Sequence, residues 1–284
     1  MTTGAYGSLR NNDTRYHDAW YPYFAEISRI TSKHTITKGG PVILVQIENE
    51  IGSQWIDPIA KTPFWPSNKY MEQLAAAARE NGMDIPTITN APNPNGRSWS
   101  KDYSTMASNQ DIYGLDSYPQ CWSCDESECT RWSPLNPFKV QNYRDHFSIV
   151  SPTQPSFLPE FQGGAYNPWG GVPGGCRNSS GPDFVNLFYR DNLAQRVTMH
   201  SVYMTYGGTN WGGLAWDGVA TSYDYSAPIQ EDRIVAAKFH ETRLLGLQVR
   251  VSHDLTKTQM LGNVGTLNGL TYQLLTGKEH KLFN

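Results

Sequence analysis

The sequence of 284 residues predicts an α/β fold, a (β/α)8 TIM-type barrel that is incomplete, with about five of the eight strand-helix units. Two observations support this fold class. Short apolar runs alternate with helical segments along the chain, which indicates right-handed βαβ units and a parallel sheet. Two of the apolar runs lead to a glutamate, Glu50 or Glu160, and an acid in that position lies at the C-terminal mouth of such a barrel.

The predicted strands are short and apolar. Residues 42–47 are nearly continuous in Val, Ile and Leu, as expected of a strand that is buried on both faces. Later strands are expected at about residues 85–89, 112–117, 157–160 and 201–206. Because a closed barrel of this class has eight strands, the smaller number found here predicts an incomplete barrel.

The helices are predicted from apolar residues at helical spacing. The first is expected at about residues 16–33, with a core-facing stripe of Trp20, Tyr23, Phe24, Ile27 and Ile30. The second, at about residues 68–81, is expected to end at Gly82, because glycine permits the left-handed turn that terminates many helices. Further helices are expected at about residues 139–150, 184–198 and 231–245.

Charge and hydropathy argue against several classes of function. The 23 Lys and Arg and 26 Asp and Glu give a net charge of -3, which offers no electrostatic case for nucleic acid or an anionic membrane. No apolar run approaches the length of a membrane span, and the polar start of the chain does not resemble a signal peptide. We therefore expect no nucleic-acid partner and no membrane partner, and the oligomeric state stays open.

Histidines and cysteines do not predict a metal site. His200, His240 and His253 form no ligand-spaced pair, which favours surface or packing roles. Cys121 and Cys124 form a CxxC, which alone could indicate a redox motif or half of a zinc site, but the usual second CxxC or paired histidines are absent from the sequence. We expect neither a metal nor a cofactor.

The two glutamates and their neighbours point to carbohydrate chemistry. Most glycosidases use two carboxylates that face one pocket. The aromatic and glycine residues around both glutamates suit a sugar. Taken alone, either glutamate is more simply a solvated loop residue or an ion-pair partner. Glu48 lies two residues before Glu50 in the same apolar run, so it competes for the same role on spacing alone.

Two segments carry a family resemblance that covers nearly the whole chain. The string GGPVILVQIENEIG, residues 39–52, closely resembles the acid/base segment of glycoside hydrolase family 35, the β-galactosidases. The string PEFQGGAYNPWGG, residues 159–171, resembles the nucleophile segment of the fungal secreted members. The resemblance implies hydrolysis of terminal non-reducing β-D-galactose residues from β-galactosides, with a β-galactoside as substrate.

The resemblance also implies roles for individual residues. Glu50 resembles the proton donor and Glu160 the nucleophile of a retaining double-displacement mechanism, in which Glu160 must be ionised and Glu50 protonated. Asn49 resembles the residue that contacts the galactose 2-hydroxyl. Tyr118 and Tyr225 resemble two sugar-contacting tyrosines, although either could instead be an ordinary aromatic residue at the barrel rim.

The same family pattern implies a disulfide and secretion. It pairs Cys124 with Cys176, after which Cys121 could pair with Cys129 by elimination, although the sequence leaves that pairing open. The sequons that begin at Asn12 and at Asn178 agree with a glycoprotein that passes through an oxidising secretory route. By resemblance we expect a secreted, extracellular protein, although this chain shows no signal peptide.

The resemblance finally predicts the organisation of the chain. Residues 1–250 are expected to form the partial barrel domain and residues 251–284 the start of a β-rich accessory region. Because the opening residues resemble the loop after the third strand of the family, we expect an N-terminally truncated chain that lacks the sugar-binding Asn and Glu of that strand. Two alternatives to an active enzyme follow, a non-catalytic galactoside-binding remnant and an inactive fragment.

Overall fold

A computed structural model describes residues 7–51, 65–94, 98–125, 127–128, 139–213, 218–260, 265–267, 270–272, 274–276 and 281–283. The chain divides into two compact units. The first comprises Met1–Asp116 with Asp145–Leu158, and the second Ser117–Arg144 with Pro159–Asn284. Glu50 and Asn49 belong to the first unit, whereas Tyr118, Glu160 and Tyr225 belong to the second.

The described helices follow the predicted order. They are α1 (Thr14–Thr31), α2 (Trp65–Glu80), α3 (Tyr143–Val150), α4 and α5 (Ala237–Val251). The helix α4 consists of three consecutive pieces, Pro182–Phe184, Val185–Tyr189 in π-helical geometry, and Arg190–Ala194. Short 3-10 turns lie at Ser32–His34, Ile36–Lys38, Trp211–Gly213 and His253–Lys257.

Five strands hydrogen-bond to one another in chain order: β1 (Val45–Gln46), β2 (Thr87–Ala91), β3 (Ile112–Leu115), β4 (Phe157–Gln162) and β5 (Met199–Tyr203). The pairs β1/β2, β2/β3 and β3/β4 are parallel. Parallel strands in chain order, separated by helices, are the arrangement of a (β/α)8 barrel. The fold prediction is confirmed, since the described residues contain five of the eight strands.

The remaining described strands are short and antiparallel. β6 (Gly208–Thr209) pairs with β7 (Ser222–Tyr223). Near the end of the chain lie β8 (Gln259–Met260), β9 (Gly265–Leu267), β10 (Leu270–Tyr272), β11 (Leu274–Thr276) and β12 (Lys281–Phe283). There β9 pairs with β10, and β11 lies between β8 and β12. The proposed domain boundary at residue 250 remains a prediction.

The first unit has a core in which α1 contributes only part of its predicted stripe. Tyr16, Trp20 and Phe24 pack on the buried cluster that includes Tyr70 of α2. Three other residues of the stripe are instead exposed, namely Tyr23 at 72%, Ile27 at 43% and Ile30 at 48%. That part of the prediction is wrong, because helical spacing shows that a face is apolar but not which neighbouring element covers it.

Two local features decide how the chain approaches the candidate site. Gly82 ends α2 with a φ of +91° and donates its N–H to Arg79 O at 3.1 Å, as the sequence predicts. The strand expected at residues 42–47 is shorter than predicted, because regular pairing is confined to Val45–Gln46. Before this strand, Val42 forms an isolated bridge with Thr35, and after it the Ile47 N–H still donates to Ile88 O at 3.4 Å.

Candidate active site

Glu50 lies in a turn beyond the end of β1. Its φ is +53°, a left-handed conformation that costs a non-glycine residue about 1–2 kcal/mol. Its backbone N–H donates to Asn90 Oδ1 at 3.0 Å, and its side chain is half-buried. Since strand pairing has ended, the two-residue alternation that would put Glu48 and Glu50 on the same side does not apply.

Glu48 is held in a two-pronged ion pair with Arg10. Arg10 Nε donates to Glu48 Oε1 at 2.7 Å, and an Arg10 Nη donates to Oε2 at 2.6 Å. Only 7% of the Glu48 side chain is exposed. Hydrogen bonding to Glu48 raises the pKa of Arg10, and Arg10 also donates to the carbonyl oxygen of Asn49. Both carboxylate oxygens of Glu48 are therefore already used as acceptors.

An amide network centred on the buried Asn90 joins the C-terminal ends of three neighbouring strands. Asn90 is in β2, Gln46 ends β1, and Asp116 follows β3. Asn90 Nδ2 donates to Asp116 Oδ2 at 2.6 Å and to Asn49 Oδ1 at 2.9 Å. Gln46 Nε2 donates to Asn49 Oδ1 and to Asn90 Oδ1, each at 3.1 Å. Asn49 and Gln46 are both exposed, so the network presents two fixed amides at the surface.

In the second unit, Glu160 is the one residue of β4 that is not fully buried. The Tyr118 hydroxyl donates to Glu160 Oε2 at 2.6 Å. The backbone around both residues is also fixed, because Ser117 N–H donates to Glu160 O at 2.9 Å and Gln162 N–H donates to Ser117 O at 3.0 Å. The structure therefore brings together two of the predicted site residues, with the phenol placed to stabilise a carboxylate.

Aromatic rings flank this contact on the chain segments before and after β4. The Tyr118 and Trp122 ring centroids are 4.9 Å apart, and those of Trp122 and Tyr166 are 5.6 Å apart. Trp122 is 44% exposed, so part of its ring surface is accessible. An exposed indole beside a carboxylate is suited to the apolar face of a sugar.

Tyr225 completes a group of tyrosines in the second unit. Its ring centroid lies 5.3 Å from those of Tyr203 and Tyr223. Burial raises the pKa of Tyr225 well above its ordinary value, and the negative charge of Glu160 acts in the same direction, while the Tyr118 hydroxyl opposes it. The opposing effect of Tyr118 is a hydrogen bond between the two side chains, so the buried Tyr225 hydroxyl lies beside the hydroxyl that contacts Glu160.

The segment after Glu160 is packed tightly against the Tyr225 backbone. A Cβ atom added to Gly164 would lie 1.7 Å from the Tyr225 carbonyl oxygen, so only glycine fits there. Gln162 anchors the same segment, because its Nε2 donates to Cys121 O at 2.8 Å and to Gly164 O at 2.9 Å. Its Oε1 accepts from the Gln120 N–H at 2.9 Å.

Lys238, at the start of α5, is a buried lysine that hydrogen-bonds to this segment. Its Nζ donates to Gly163 O and, at 3.1 Å, to Ser180 Oγ. Burial lowers the pKa of Lys238 to about 7, and the negative charge of Asp224 opposes that shift. The Gly163 carbonyl, three residues after Glu160, therefore accepts a hydrogen bond from a lysine side chain that is 3% exposed.

A disulfide bond joins two loops of the second unit. Cys124 and Cys176 are bonded, which confirms the predicted pair. The bond closes a separation of 52 residues and ties the loop after Tyr118 to the loop after Glu160. Cys121 is also disulfide-bonded, whereas Cys129, the cysteine that elimination leaves for it, lies outside the described residues, so the pairing of these two stays open.

The sequence reasoning did not identify Asn90, Arg10 or Lys238. Asn90 had a detectable signal, since it directly follows the strand expected at residues 85–89, at the same barrel end as the two acids.

The described residues contain no group of three His, Cys, Asp or Glu that could hold a metal ion. His200 packs against Phe161 and Tyr189, and burial lowers its pKa to about 4. None of the described helices is long and apolar enough to span a membrane.

Known proteins resemble this chain over most of its sequence. The family description "Glycosyl hydrolases family 35" matches residues 1–249. The chain is 55% identical over 265 residues to the probable β-galactosidase B of Aspergillus terreus, and 56% identical to that of Emericella nidulans. Each alignment covers 93% of this chain and 26% of the relative, so the chain spans about a quarter of the length of these curated relatives.

A solved structure shows the same kind of fold at low sequence identity. The polyextremophilic β-galactosidase from the haloarchaeon Halorubrum lacusprofundi superposes with a TM-score of 0.51 at 11% identity. The superposition covers 91% of this chain and 43% of that protein. At this identity the likeness concerns the fold alone.

Proposed function

Because the chain belongs to glycosyl hydrolases family 35, we propose that it hydrolyses terminal non-reducing β-D-galactose residues from β-galactosides. The observation that carries the proposal is the Tyr118 hydroxyl donating to the Glu160 carboxylate at 2.6 Å, beside the partly exposed Trp122 ring. A hydrogen-bonded carboxylate next to an aromatic surface is what a glycosidase nucleophile requires. The fungal relatives, named as probable β-galactosidases, support galactose as the sugar.

The proposed mechanism is double displacement with retention of configuration. A Glu160 oxygen attacks the anomeric carbon as the bond from that carbon to the glycosidic oxygen breaks, and Glu50 gives its proton to the departing oxygen. Glu50 then removes a proton from water, which attacks the anomeric carbon and releases Glu160 from the sugar. One pair of carboxylates thereby serves both half-reactions without a cofactor.

The contacts of Glu48 support Glu50 as the proton donor. A donor must carry its proton before the reaction, but both Glu48 oxygens accept hydrogen bonds from Arg10, in an ion pair whose Glu48 side chain is 7% exposed and whose Arg10 side chain is 35% exposed. Removing that charge would leave the Arg10 guanidinium without its partner, which is unfavourable in a buried setting. The contacts of Glu48 therefore favour Glu50 as the donor in a choice that spacing alone leaves open.

The polarity of two further groups supports their roles as sugar contacts. Asn49 Oδ1 accepts from Gln46 and from Asn90, and the described residues provide no acceptor for Asn49 Nδ2. That NH2 group is suited to donate to a sugar hydroxyl such as the galactose 2-hydroxyl. The Tyr225 hydroxyl lies beside the Tyr118 hydroxyl that donates to Glu160, and a phenol can both donate and accept, so it is likewise suited to a substrate hydroxyl.

We also propose that the protein follows the secretory route and is secreted. The Cys124–Cys176 disulfide and the lack of a thiol among the described cysteines suit an oxidising compartment. Asn12 and Asn178, the acceptors of the two sequons, are both exposed. Enzymatic removal of N-glycans from protein secreted by a fungal host should reduce its mass, whereas an unchanged mass would contradict the modification.

The catalytic proposal is tested by trapping the intermediate. The full chain is incubated with an activated 2-deoxy-2-fluoro-β-galactoside, which slows release of the sugar from the enzyme. One sugar mass is expected on the peptide that contains Glu160, and none in the Glu160→Gln variant. A Glu72→Gln variant is the matched control, since Glu72 pairs with Lys69 on α2. Label on Glu48 or Glu50 would contradict the assigned roles.

Turnover is measured with nitrophenyl β-galactoside, β-glucoside and β-glucuronide under the same conditions. We expect hydrolysis of the galactoside alone, abolished by Glu160→Gln and retained by Glu72→Gln. Binding of galactose without turnover of any of the three substrates would favour a binding protein over an enzyme.

A further inference from the structure

Asn90 is the centre of the amide network in the first unit. Its side chain is completely buried. Its Oδ1 accepts from the Glu50 N–H at 3.0 Å and from Gln46 Nε2 at 3.1 Å. Its Nδ2 donates to Asn49 Oδ1 at 2.9 Å and to Asp116 Oδ2 at 2.6 Å. The two acceptor sites and the two N–H groups of the amide are therefore all used.

The partners leave one orientation for the Asn90 amide. The Glu50 N–H can only donate, so the atom opposite it must be the amide oxygen. The Asp116 carboxylate then receives the NH2 group from the other side. Because β2 and β3 are paired through Asn90 and Gly114, this orientation is fixed by the rigid part of the sheet.

Through these bonds Asn90 contacts two consecutive residues, Asn49 and Glu50. It holds the N–H of Glu50, whose left-handed backbone would otherwise be unfavourable. It also fixes which end of the Asn49 amide is outermost, because Asn49 Oδ1 is turned toward Asn90 and Gln46. A rotated Asn49 amide would present an acceptor to a ligand in place of a donor.

We propose that Asn90 is a positioning residue that sets the backbone of Glu50 and the amide polarity of Asn49. Asn90 acts without touching the substrate, and Asp116 anchors it from β3. The catalytic consequence rests on the proposed function, since it concerns protonation of the leaving group by Glu50. The positioning itself does not depend on the identity of the substrate.

Three variants separate positioning from a general packing role. Asn90→Ala removes all four bonds. Asn90→Asp keeps the acceptor for Glu50 but places a second carboxylate at the 2.6 Å contact with Asp116. Asn109→Ala is the matched control, because Asn109 is also a buried asparagine of the first unit and donates to Ser104 O at 2.6 Å, away from the network.

The first experiment measures hydrogen exchange of the Glu50 amide in the full chain. Exchange is expected to quicken about tenfold in Asn90→Ala, as a lost hydrogen bond of ordinary strength implies, and to stay near the wild-type rate in Asn109→Ala. In Asn90→Asp the Glu50 amide should be better protected than in Asn90→Ala. The aspartate variant can therefore be compared with wild type if the alanine variant does not fold. Equal protection of this amide in all four proteins would overturn the proposal.

The second experiment compares leaving groups. Loss of Asn90 should lower kcat/KM for an alkyl β-galactoside about tenfold more than for a dinitrophenyl β-galactoside, since only the former needs protonation by Glu50. An equal fall for both substrates would refute the catalytic part of the proposal. If the wild-type chain hydrolyses neither substrate, the proposed function fails, and amide exchange still decides whether Asn90 positions Glu50.

Discussion

Replacing Lys238 by Met should remove a pH dependence from the stability of the protein. Lys238 is 3% exposed, and burial lowers its pKa to about 7 from an ordinary value of 10.5. At pH values between these two, the unfolded chain binds a proton at Lys238 that the native protein does not bind. Protonation then favours unfolding, so the free energy of unfolding rises with pH across this window.

The size of the effect follows from the two pKa values. A difference of this size corresponds to about 5 kcal/mol over the whole window, and to about 2 kcal/mol between about pH 7 and about pH 9. The Met variant lacks this contribution but also loses the bonds to Gly163 and Ser180, which costs about 1–2 kcal/mol at every pH. Compared with the wild type at the same pH, the variant should therefore lose less unfolding free energy at neutral pH than at alkaline pH.

Urea unfolding followed by Trp fluorescence measures this difference. Wild type, Lys238→Met and a control, Lys33→Met at an exposed lysine, are unfolded at about pH 6, 7, 8 and 9. The difference in unfolding free energy between wild type and Lys238→Met should rise by about 2 kcal/mol from about pH 7 to about pH 9, and the control difference should stay constant. If the difference in unfolding free energy between wild type and Lys238→Met does not change with pH, the native Lys238 ammonium keeps its proton, and the reasoning is refuted.

Three further predictions concern the second unit. Tyr118→Phe should lower kcat/KM on a nitrophenyl β-galactoside about 10- to 100-fold, because it removes the hydrogen bond to the Glu160 carboxylate; unchanged kinetics would contradict a role for this contact. Replacing Cys124 and Cys176 together by Ser should lower the unfolding free energy by about 4 kcal/mol, the chain-entropy value for a closed loop of 52 residues; an unaltered urea midpoint would count against it. Proton NMR of the first product should show β-galactose before mutarotation, and initial α-galactose would exclude the retaining mechanism.

The sequence was informative where local chemistry decides the structure. The apolar runs before Glu50 and Glu160 predict parallel strands, and Gly82 predicts the end of α2, because these depend on nearby residues alone. The Cys124–Cys176 bond followed from the family resemblance. Glu160 could likewise be located at the end of an apolar run, and the structure places it in β4.

The contacts that organise the site depend on register between distant segments. Asn90 meets Glu50 only because Gln46 of β1 pairs with Ile88 of β2, and the sequence does not state that register. Arg10 reaches Glu48 across 38 positions of sequence. The exposed residues Tyr23, Ile27 and Ile30 show the same limit, since a helix pattern does not identify its neighbours.

The close approach of Gly164 to the Tyr225 carbonyl has a consequence for engineering this protein. No side chain fits at position 164, so any library that varies this position should return only glycine among folded members. A few residues later the constraint differs from one position to the next. Trp169 is 71% exposed, whereas Gly170 and Gly174 have φ values of +73° and +80°, and a Cβ atom at Gly171 would lie 2.2 Å from Asn167 Oδ1. Substitutions in this loop therefore belong at Trp169 and not at the glycines around it.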